Sequence, residues 1–234
     1  MPVLRVGHKG ADAVVPGNTT ASFDAAREIG VDMIEFDVLE VDGLLVLAHD
    51  FDDARRRAPL MLDEALDHLA GPAFAALGLD VDLKLPGYEQ QVLQALRGRE
   101  LLGRSLISTQ YVGSLADLRL AAPAVRLGWS VPKATRDYTK SRAYRVPALA
   151  ALSAYRATFP RRAARALRER RVDAIMAHRR LVSSALVRAV RGAGGELYVW
   201  TVDDAYDIRH LEGLGVTGVI SNDPRLFARV GVAA

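Results

Sequence analysis

The feature that most constrains the fold is a regular alternation of short apolar segments with helical ones. Eight segments have the length and composition of buried strands, and most of them are followed by residues with helical periodicity. The predicted strands begin at Val3, Met33, Leu79, Leu106, Arg126, Ala174, Leu197 and Val216. Eight β–α units in this order predict a closed parallel TIM (β/α)8 barrel rather than an open sheet.

The length and composition agree with a barrel that forms a single domain over residues 1–234. A (β/α)8 barrel needs roughly 250 residues, and this chain has 234, half of them hydrophobic. No linker, repeat or low-complexity tract interrupts the pattern. No apolar run is long enough to span a membrane, so we expect no stable membrane insertion. The N-terminus lacks a signal-peptide pattern, and the absence of cysteine fits a cytoplasmic enzyme.

The net charge is mildly positive, because Lys and Arg exceed Asp and Glu by 31 − 28 = 3. This excess favours a small anionic substrate. The arginines do not alternate with aromatic residues as they do in single-strand-binding proteins, so we expect no nucleic-acid partner. The sequence does not indicate an oligomeric state.

A hairpin after the second predicted strand brings three chemically active residues together. Glu35 and Asp37 occupy alternate positions of that strand, so both side chains lie on one face. Asp42-Gly43 is a strong hairpin signal, and a two-residue turn there places Leu39 opposite Val46. The returning strand then brings His49 to the level of the two carboxylates.

Several local predictions concern the elements around the hairpin. Asn18 is a plausible N-cap for a helix that Gly30 ends. Residues 51–59 read as a short polar loop with three arginines. Residues 62–77 have the spacing of a helix with one buried face.

In a parallel barrel, chemistry is expected at the C-terminal ends of the strands. Glu35, Asp37 and Asp82 would form an oxygen-only site for one divalent cation, Mg²⁺ or Ca²⁺. Lysines beside the cation would stabilise charge on a phosphoryl oxygen, and two histidines can share acid and base roles. The full set of polar candidates is His8, Lys9, Glu35, Asp37, His49, Asp82, Lys84, Gln110, Ser130, His178, Trp200, Asn222 and Asp223.

The order of these motifs resembles the glycerophosphodiester phosphodiesterase family, a group of phospholipase C-like barrels. The resemblance covers nearly the whole chain, and it is the order of the motifs that makes it specific. The matching segments are His8-Lys-Gly, Pro16-Gly-Asn-Thr, Ile34-Glu-Phe-Asp-Val, Asp42-Gly, His49-Asp, Asp82-Leu-Lys, Trp200-Thr-Val and Gly218-Val-Ile-Ser-Asn-Asp223-Pro.

The resemblance implies hydrolysis of glycerophosphodiesters to glycerol 3-phosphate and an alcohol. It makes His8 and His49 the general acid/base pair. It makes Glu35, Asp37 and Asp82 the ligands of the divalent cation, and Lys84 and Lys9 the cationic contacts of the substrate phosphate.

Three positions depart from the family pattern. Lys9 replaces an arginine and cannot form a bidentate fork with a phosphate. Gly17 replaces a glutamate, which removes one carboxylate near the metal. Asp82 replaces a glutamate and is one methylene shorter. These changes leave two alternatives open: a phospholipid head-group phosphodiesterase or lyase on the same barrel, and a non-catalytic relative that binds phosphodiesters.

The sequence also suggests roles for residues outside these motifs. His178 either lines the substrate pocket or makes a backbone hydrogen bond at the rim. Trp200 is expected to pack over the site and contact the substrate. Asp80 is expected to pair with a cation inside the barrel, and Asp223 to form a turn or cap. The basic loop 133–145 is either a lid over an anionic group or a solvated surface.

Overall fold

A computed structural model of the chain describes residues 3–133 and 145–230. Strands and helices alternate along it in the predicted order. Most of the basic loop 133–145 lies outside the described residues, so neither reading of that loop is tested.

Nine strands are present, of which eight form the barrel and one belongs to the hairpin, all within the described residues. Each barrel strand begins within three residues of its predicted start. The strands are β1 (Leu4–Gly7), β2 (Met33–Val41), β3 (Leu44–Val46), β4 (Gly78–Leu83), β5 (Ser105–Thr109), β6 (Arg126–Val131), β7 (Ala174–His178), β8 (Glu196–Trp200) and β9 (Gly218–Ser221).

The eight barrel strands are all parallel and form a closed ring. Neighbours pair in the order β1, β2, β4, β5, β6, β7, β8 and β9, and β9 pairs with β1 to close it. The pairing of β2 with β4 sets Asp37 beside Asp82 and Glu35 beside Asp80. The predicted TIM barrel is therefore confirmed, and its closure brings distant carboxylates into adjacent strands.

Eight α-helices accompany the strands within the described residues. They are α1 (Thr20–Ile29), α2 (Phe51–Arg56), α3 (Leu62–Leu69), α4 (Glu89–Arg97), α5 (Val112–Ala121), α6 (Arg145–Arg168), α7 (Ser184–Gly192) and α8 (Ala205–Leu214). None of the described helices has the length and apolarity that crossing a membrane would require.

Alternation along the strands separates two apolar clusters. Ile34, Phe36 and their counterparts on the other strands face outward and pack against the helices. The inward positions at the N-terminal end of the barrel form a second cluster: Val6, Met33, Leu106, Ala174, Met176, Tyr198 and Ile220. At the N-terminal ends of β6 and β8, Arg126 pairs with Glu196 and contacts the Tyr198 hydroxyl. The carboxylates and lysines of the candidate site lie towards the C-terminal ends of the strands.

The hairpin after β2 has the register that the Asp42-Gly43 turn predicts. Leu39 pairs with Val46 and Val41 pairs with Leu44 in antiparallel orientation. Asp42 and Gly43 have φ values of 51° and 79°, the left-handed pair that a type I′ turn requires. The tight turn returns the chain towards the barrel mouth just before His49.

Three local predictions were wrong. Thr19, not Asn18, caps α1, because its hydroxyl accepts a hydrogen bond from the Ser22 N–H at 3.1 Å. Residues 51–56 form the helix α2 rather than a loop, since the Asp50 carboxylate caps them by accepting from the Asp53 N–H at 2.7 Å. Helix α3 ends at Leu69, and a 3₁₀ turn at Pro72–Phe74 follows it. Gly30 does end α1, in a left-handed conformation.

A buried tyrosine joins the end of β2 to the segment after β4. The Tyr88 hydroxyl donates to the Val38 carbonyl at 2.7 Å and accepts from the Leu85 N–H at 3.0 Å. Tyr88 itself is only 1% exposed. Because Lys84 precedes Leu85, this tyrosine holds the chain that carries one of the site lysines.

We predict that Tyr88→Phe lowers the free energy of unfolding by about 1–3 kcal/mol, since it leaves the Leu85 N–H without its buried acceptor. Urea denaturation measures the change. Tyr206→Phe is the matched control, because Tyr206 is 71% exposed and should tolerate the loss of its hydroxyl. Equal stabilities of the two variants would show that the Tyr88 hydrogen bonds contribute nothing.

Candidate active site

The pocket at the C-terminal end of the barrel has one polar wall and one apolar wall. Strands β2, β4, β5 and β6 supply the acidic, basic and hydroxyl groups, whereas β7, β8 and β9 supply Met176, Trp200 and Ile220. The pocket has a volume of about 140 Å³ and is lined by His8, Lys9, Glu35, His49, Asp80, Asp82, Lys84, Ser108, Gln110, Ser130, Met176, Trp200, Thr201 and Ile220. An elongated ligand with one charged end would match these two walls.

Three carboxylates form a cluster on the polar wall, and we call Glu35, Asp37 and Asp82 the carboxylate cluster. One oxygen from each residue lies within 4.8 Å of one oxygen from the others. The cluster sits on adjacent strands, which the pairing of β2 with β4 sets side by side. The sequence placed these three residues together correctly.

Asp37 lies at the centre of the cluster and is 0% exposed. Its Oδ2 accepts a hydrogen bond from the Asn18 Nδ2 at 3.0 Å, while its backbone N–H donates to the Asn18 Oδ1 at 3.1 Å. The Lys84 ammonium lies against its Oδ1. Burial alone would raise the pKa of Asp37, but the charges of Lys84 and Lys9 outweigh it and lower that pKa. Asp37 is therefore ionised.

Lys84 is held by two members of the cluster. Its Nζ lies 2.5 Å from the Asp82 Oδ2 and also contacts Asp37. Burial would lower the pKa of Lys84, but Asp37 and Asp82 raise it well above the ordinary value. Lys84 is therefore a permanent cation beside the carboxylate cluster.

The remaining acids have raised pKa values, chiefly because they are buried and also because their carboxylates repel one another. Burial and then the Asp37 charge raise the pKa of Glu35 well above its ordinary value. Burial also raises the pKa of Asp82, against the opposing effect of Lys84. Burial and the neighbouring Asp82 raise the pKa of Asp80 to about 7. A further cation would relieve this repulsion.

The donor set of the cluster fits a hard divalent cation. All three side chains offer oxygens, the atoms that Mg²⁺ and Ca²⁺ prefer. The Asp37 Oδ1 is buried, and its described contact is the Lys84 ammonium, so a divalent cation would compete with that ammonium for the oxygen. The charge and the donor atoms therefore agree with the predicted metal site.

His8 is fixed in one orientation by a chain of hydrogen bonds. Its Nδ1 lies 2.5 Å from the Asn222 Oδ1, and the Asn222 Nδ2 donates to the Asp203 Oδ2 at 2.7 Å. Because the amide nitrogen faces Asp203, the amide oxygen faces His8, and the His8 Nδ1 carries the proton. Burial lowers the pKa of His8. Its neutral Nε2 then presents a lone pair, 3.8 Å from the Glu35 Oε2.

His49 also lines the pocket and is more exposed than His8, at 53% of its side chain. Its Nδ1 lies 3.1 Å from the Asp50 Oδ2, and its backbone N–H donates to the Asp53 Oδ2 at 3.1 Å. Asp50 and Asp53 therefore hold the ring and the backbone of His49 in place.

Lys9 follows His8 in the loop after β1. Its backbone has a φ of 51°, and its N–H donates to the Glu35 Oε2 at 2.8 Å. The Lys9 Nζ lies 4.0 Å from the Asp37 Oδ2 and 3.8 Å from the Asp12 Oδ2. The backbone therefore holds Glu35 while the ammonium faces the pocket.

Of the candidates Trp200, His178 and Asp223, only Trp200 is among the described residues that line the pocket. Trp200 lines the pocket, and its Nε1 donates to the Met176 carbonyl at 2.9 Å. His178 is not among the described lining residues, because its ring packs edge-on against Trp200 with centroids 5.1 Å apart. The His178 Nδ1 accepts a hydrogen bond from the Arg180 N–H at 3.2 Å. This is the backbone hydrogen bond that the sequence suggested as the second possibility for His178. Asp223 binds Arg225 in a turn.

Three site residues were missed or misread in the sequence. Asn18 reads as a helix cap but clamps Asp37, and Asp80 accepts from the Ser108 hydroxyl at 2.7 Å rather than pairing with a lysine. Asp203 supports His8 through Asn222 although it follows Trp200 by three residues. Asn18 lies within the Pro16-Gly-Asn-Thr motif, and Asp203 directly follows the Trp200-Thr-Val motif. Their positions in or beside these motifs were the sequence signal that could have identified them as site residues.

Comparison with known proteins identifies a matching family. The profile of the Glycerophosphoryl diester phosphodiesterase family matches residues 8–58 and 85–226, most of the chain. The match omits the segment that carries Asp82 and Lys84, so the geometry alone connects these two residues to the site.

Relatives of similar length carry the same description. A glycerophosphodiester phosphodiesterase of Caldanaerobacter subterraneus is 26% identical over 96% of both chains. The crystal structure of a glycerophosphodiester phosphodiesterase from Agrobacterium tumefaciens has a TM-score of 0.68 at 24% identity over the whole of both chains. An Oleispira antarctica phosphodiesterase, solved with its product sn-glycerol-3-phosphate, has a TM-score of 0.68 at 18% identity over 98% of this chain and 96% of its own.

We predict that Lys84→Met binds Mg²⁺ about tenfold more tightly than the wild type. The ammonium occupies oxygens of Asp37 and Asp82, so a divalent cation must displace it and overcome its repulsion. Calorimetric titration without substrate measures this affinity. Lys133→Met is the control, because Lys133 packs over the Tyr111 ring instead. Equal or weaker binding by Lys84→Met would contradict the assignment of the cluster as the cation site.

Proposed function

The chain belongs to the glycerophosphoryl diester phosphodiesterase family, and from this premise we propose that it hydrolyses glycerophosphodiesters to glycerol 3-phosphate and an alcohol. The observation that carries the proposal is the arrangement of one pocket. His8, His49, Lys9 and Lys84 line the same pocket as Glu35 and Asp82 of the carboxylate cluster. A phosphodiester needs cationic groups around its phosphate and proton transfer on both sides of it.

We assign His8 as the general base. Its Nδ1 proton is held by Asn222, and its lowered pKa keeps Nε2 unprotonated at neutral pH. The Nε2 takes a proton from the attacking oxygen as that oxygen bonds to phosphorus. Attack by water gives glycerol 3-phosphate directly. Attack by a hydroxyl of the substrate's own glycerol gives a cyclic phosphate, which water then opens to glycerol 3-phosphate in a second step.

We assign His49 as the general acid. Its Nδ1 contacts the Asp50 Oδ2, which orients the ring, and its exposed position suits a group at the side where the alcohol departs. The Nε2 proton passes to the alcohol oxygen as the phosphorus–oxygen bond breaks. The base then holds one proton more and the acid one fewer, and solvent restores both.

The cationic groups would stabilise the phosphoryl oxygens. Glu35, Asp37 and Asp82 would hold Mg²⁺ or Ca²⁺, and a bound cation supplies positive charge for the phosphate oxygens. Lys9 and Lys84 supply the same kind of charge from the protein. The apolar wall with Trp200 would cover the remaining part of the substrate.

The experiment that tests the proposal is release of glycerol 3-phosphate from a soluble glycerophosphodiester, with Mg²⁺ or Ca²⁺ and with excess chelator. We expect turnover that chelation abolishes and added cation restores. The same assay on phospholipid vesicles distinguishes a head-group phosphodiesterase. Binding of the diester without turnover would instead identify a non-catalytic relative.

We predict that His8→Ala and His49→Ala each lower kcat by at least ~10²-fold, the usual scale for a lost general acid or base. The double variant should lose less than the product of the two effects, because both groups serve one proton-transfer sequence. His210→Ala is the matched control, since His210 lies exposed on α8. Full activity in either single variant would remove that histidine from the mechanism.

We predict that Lys9→Arg lowers KM with little change in kcat, whereas Lys9→Met lowers kcat. Arginine can form two parallel hydrogen bonds to a phosphate, and methionine removes the charge that stabilises the transition state. Steady-state kinetics at saturating cation separates the two effects. Identical kinetics of the wild type and Lys9→Met would leave Lys84 as the main cationic contact of the phosphate.

A further inference from the structure

Two loops form the mouth of the pocket, and each carries one of the two histidines. The first loop, residues 8–19, follows β1 and carries His8 and Lys9. The second loop, residues 47–61, follows β3 and contains His49 and the short helix α2. Proton transfer on both sides of one phosphate requires these two loops to keep a fixed separation.

Within the part of the chain that the structure describes, the Arg57 guanidinium makes the hydrogen bond that joins the two loops. Its Nη1 donates to the Gly17 carbonyl of the first loop at 2.7 Å. Its Nη2 donates to the Asp53 Oδ2 of the second loop at 3.2 Å. The Arg57 side chain is only 28% exposed, so solvent competes little for these bonds.

On the second loop, Arg57 is linked to the backbone of His49 through the Asp53 carboxylate. The Asp53 Oδ2 that contacts Arg57 also accepts from the His49 N–H at 3.1 Å. Arg57 therefore neutralises the carboxylate that orients His49. Without the guanidinium, Asp53 would be free to turn towards solvent and release the His49 backbone.

On the first loop, the bond from Arg57 ends on a residue that is packed against Lys9. The Gly17 N–H donates to the Asp12 Oδ1 at 2.8 Å, and the Asp12 Oδ2 lies 3.8 Å from the Lys9 Nζ. A Cβ at Gly17 would lie 2.5 Å from the Asp12 Oδ1 and 2.6 Å from the Lys9 Cβ. Only glycine lets the loop approach Asp12 this closely.

We propose that Arg57 is a positioning residue, which fixes His49 relative to His8 and Lys9 by fastening the second loop to Gly17. A guanidinium suits this role because its planar fork can reach two acceptors that belong to different segments. Arg57 does not contact the carboxylate cluster, so it acts on the separation of the loops and leaves the cation ligands on their strands.

The kinetic test compares Arg57→Met with Arg55→Met and rests on the proposed function, because its readout is turnover. Arg55 lies in the same loop, on α2, but pairs with Asp52 at an exposed position. We expect Arg57→Met to lower kcat by about 10- to 100-fold, the scale of an ångström-sized misplacement, and Arg55→Met to leave kcat unchanged. Arg57→Lys should recover part of the loss, since it keeps the charge next to Asp53.

Calorimetric Mg²⁺ affinity separates positioning from general destabilisation. The cluster residues lie on β2 and β4, so Arg57→Met should bind Mg²⁺ as tightly as the wild type. A parallel loss of Mg²⁺ affinity and turnover would overturn the proposal, as would equal kcat values for Arg57→Met and Arg55→Met.

Amide hydrogen exchange tests the same contact without turnover. The His49 and Gly17 amides donate to Asp53 and Asp12, so we expect both to exchange at least ~10-fold faster in Arg57→Met, with strand amides unchanged. If the wild type releases no glycerol 3-phosphate, the proposed function fails while this measurement still decides the role of Arg57. Unchanged exchange at both amides would refute it.

Discussion

The ion pairing of Asp37 is the interaction on which the rest of the site depends. A carboxylate that is 0% exposed is costly unless charges and hydrogen bonds compensate it, and Asp37 receives both. Lys84 and Lys9 supply the charge, and Asn18 supplies the hydrogen bond. These partners come from the loop after β1 and from the residue that follows β4, so satisfying one buried charge also positions the β1 loop and the end of β4.

The same electrostatics divide the barrel interior into two levels. Apolar side chains and the Arg126–Glu196 ion pair occupy the N-terminal level. Above them, four carboxylates and two lysines share one wall, and burial, together with the neighbouring carboxylates, raises the pKa values of Glu35, Asp82 and Asp80. An excess of negative charge at a fixed position is what a divalent cation binds, and a cation there also draws a phosphate to the lysines.

The two histidines differ because their surroundings differ. His8 is buried and held by Asn222, which suits a neutral base, whereas His49 is half-exposed beside Asp50, which suits a charged acid. Different environments thus separate the roles of two chemically identical groups. Arg57 keeps the two histidines in their places, because its hydrogen bond to Gly17 joins the loop that carries His49 to the loop that carries His8.

By itself, the sequence determined the eight-stranded barrel, the type I′ hairpin and the grouping of the carboxylate cluster with two histidines. Each of these follows from periodicity or turn chemistry, which are local properties of the chain. Only the tertiary structure decided the partners of Asn18, Asp203 and Arg57, and the displacement of His178 behind Trp200. Those contacts join residues far apart in the chain, and a single sequence carries no signal for the distance between two loops.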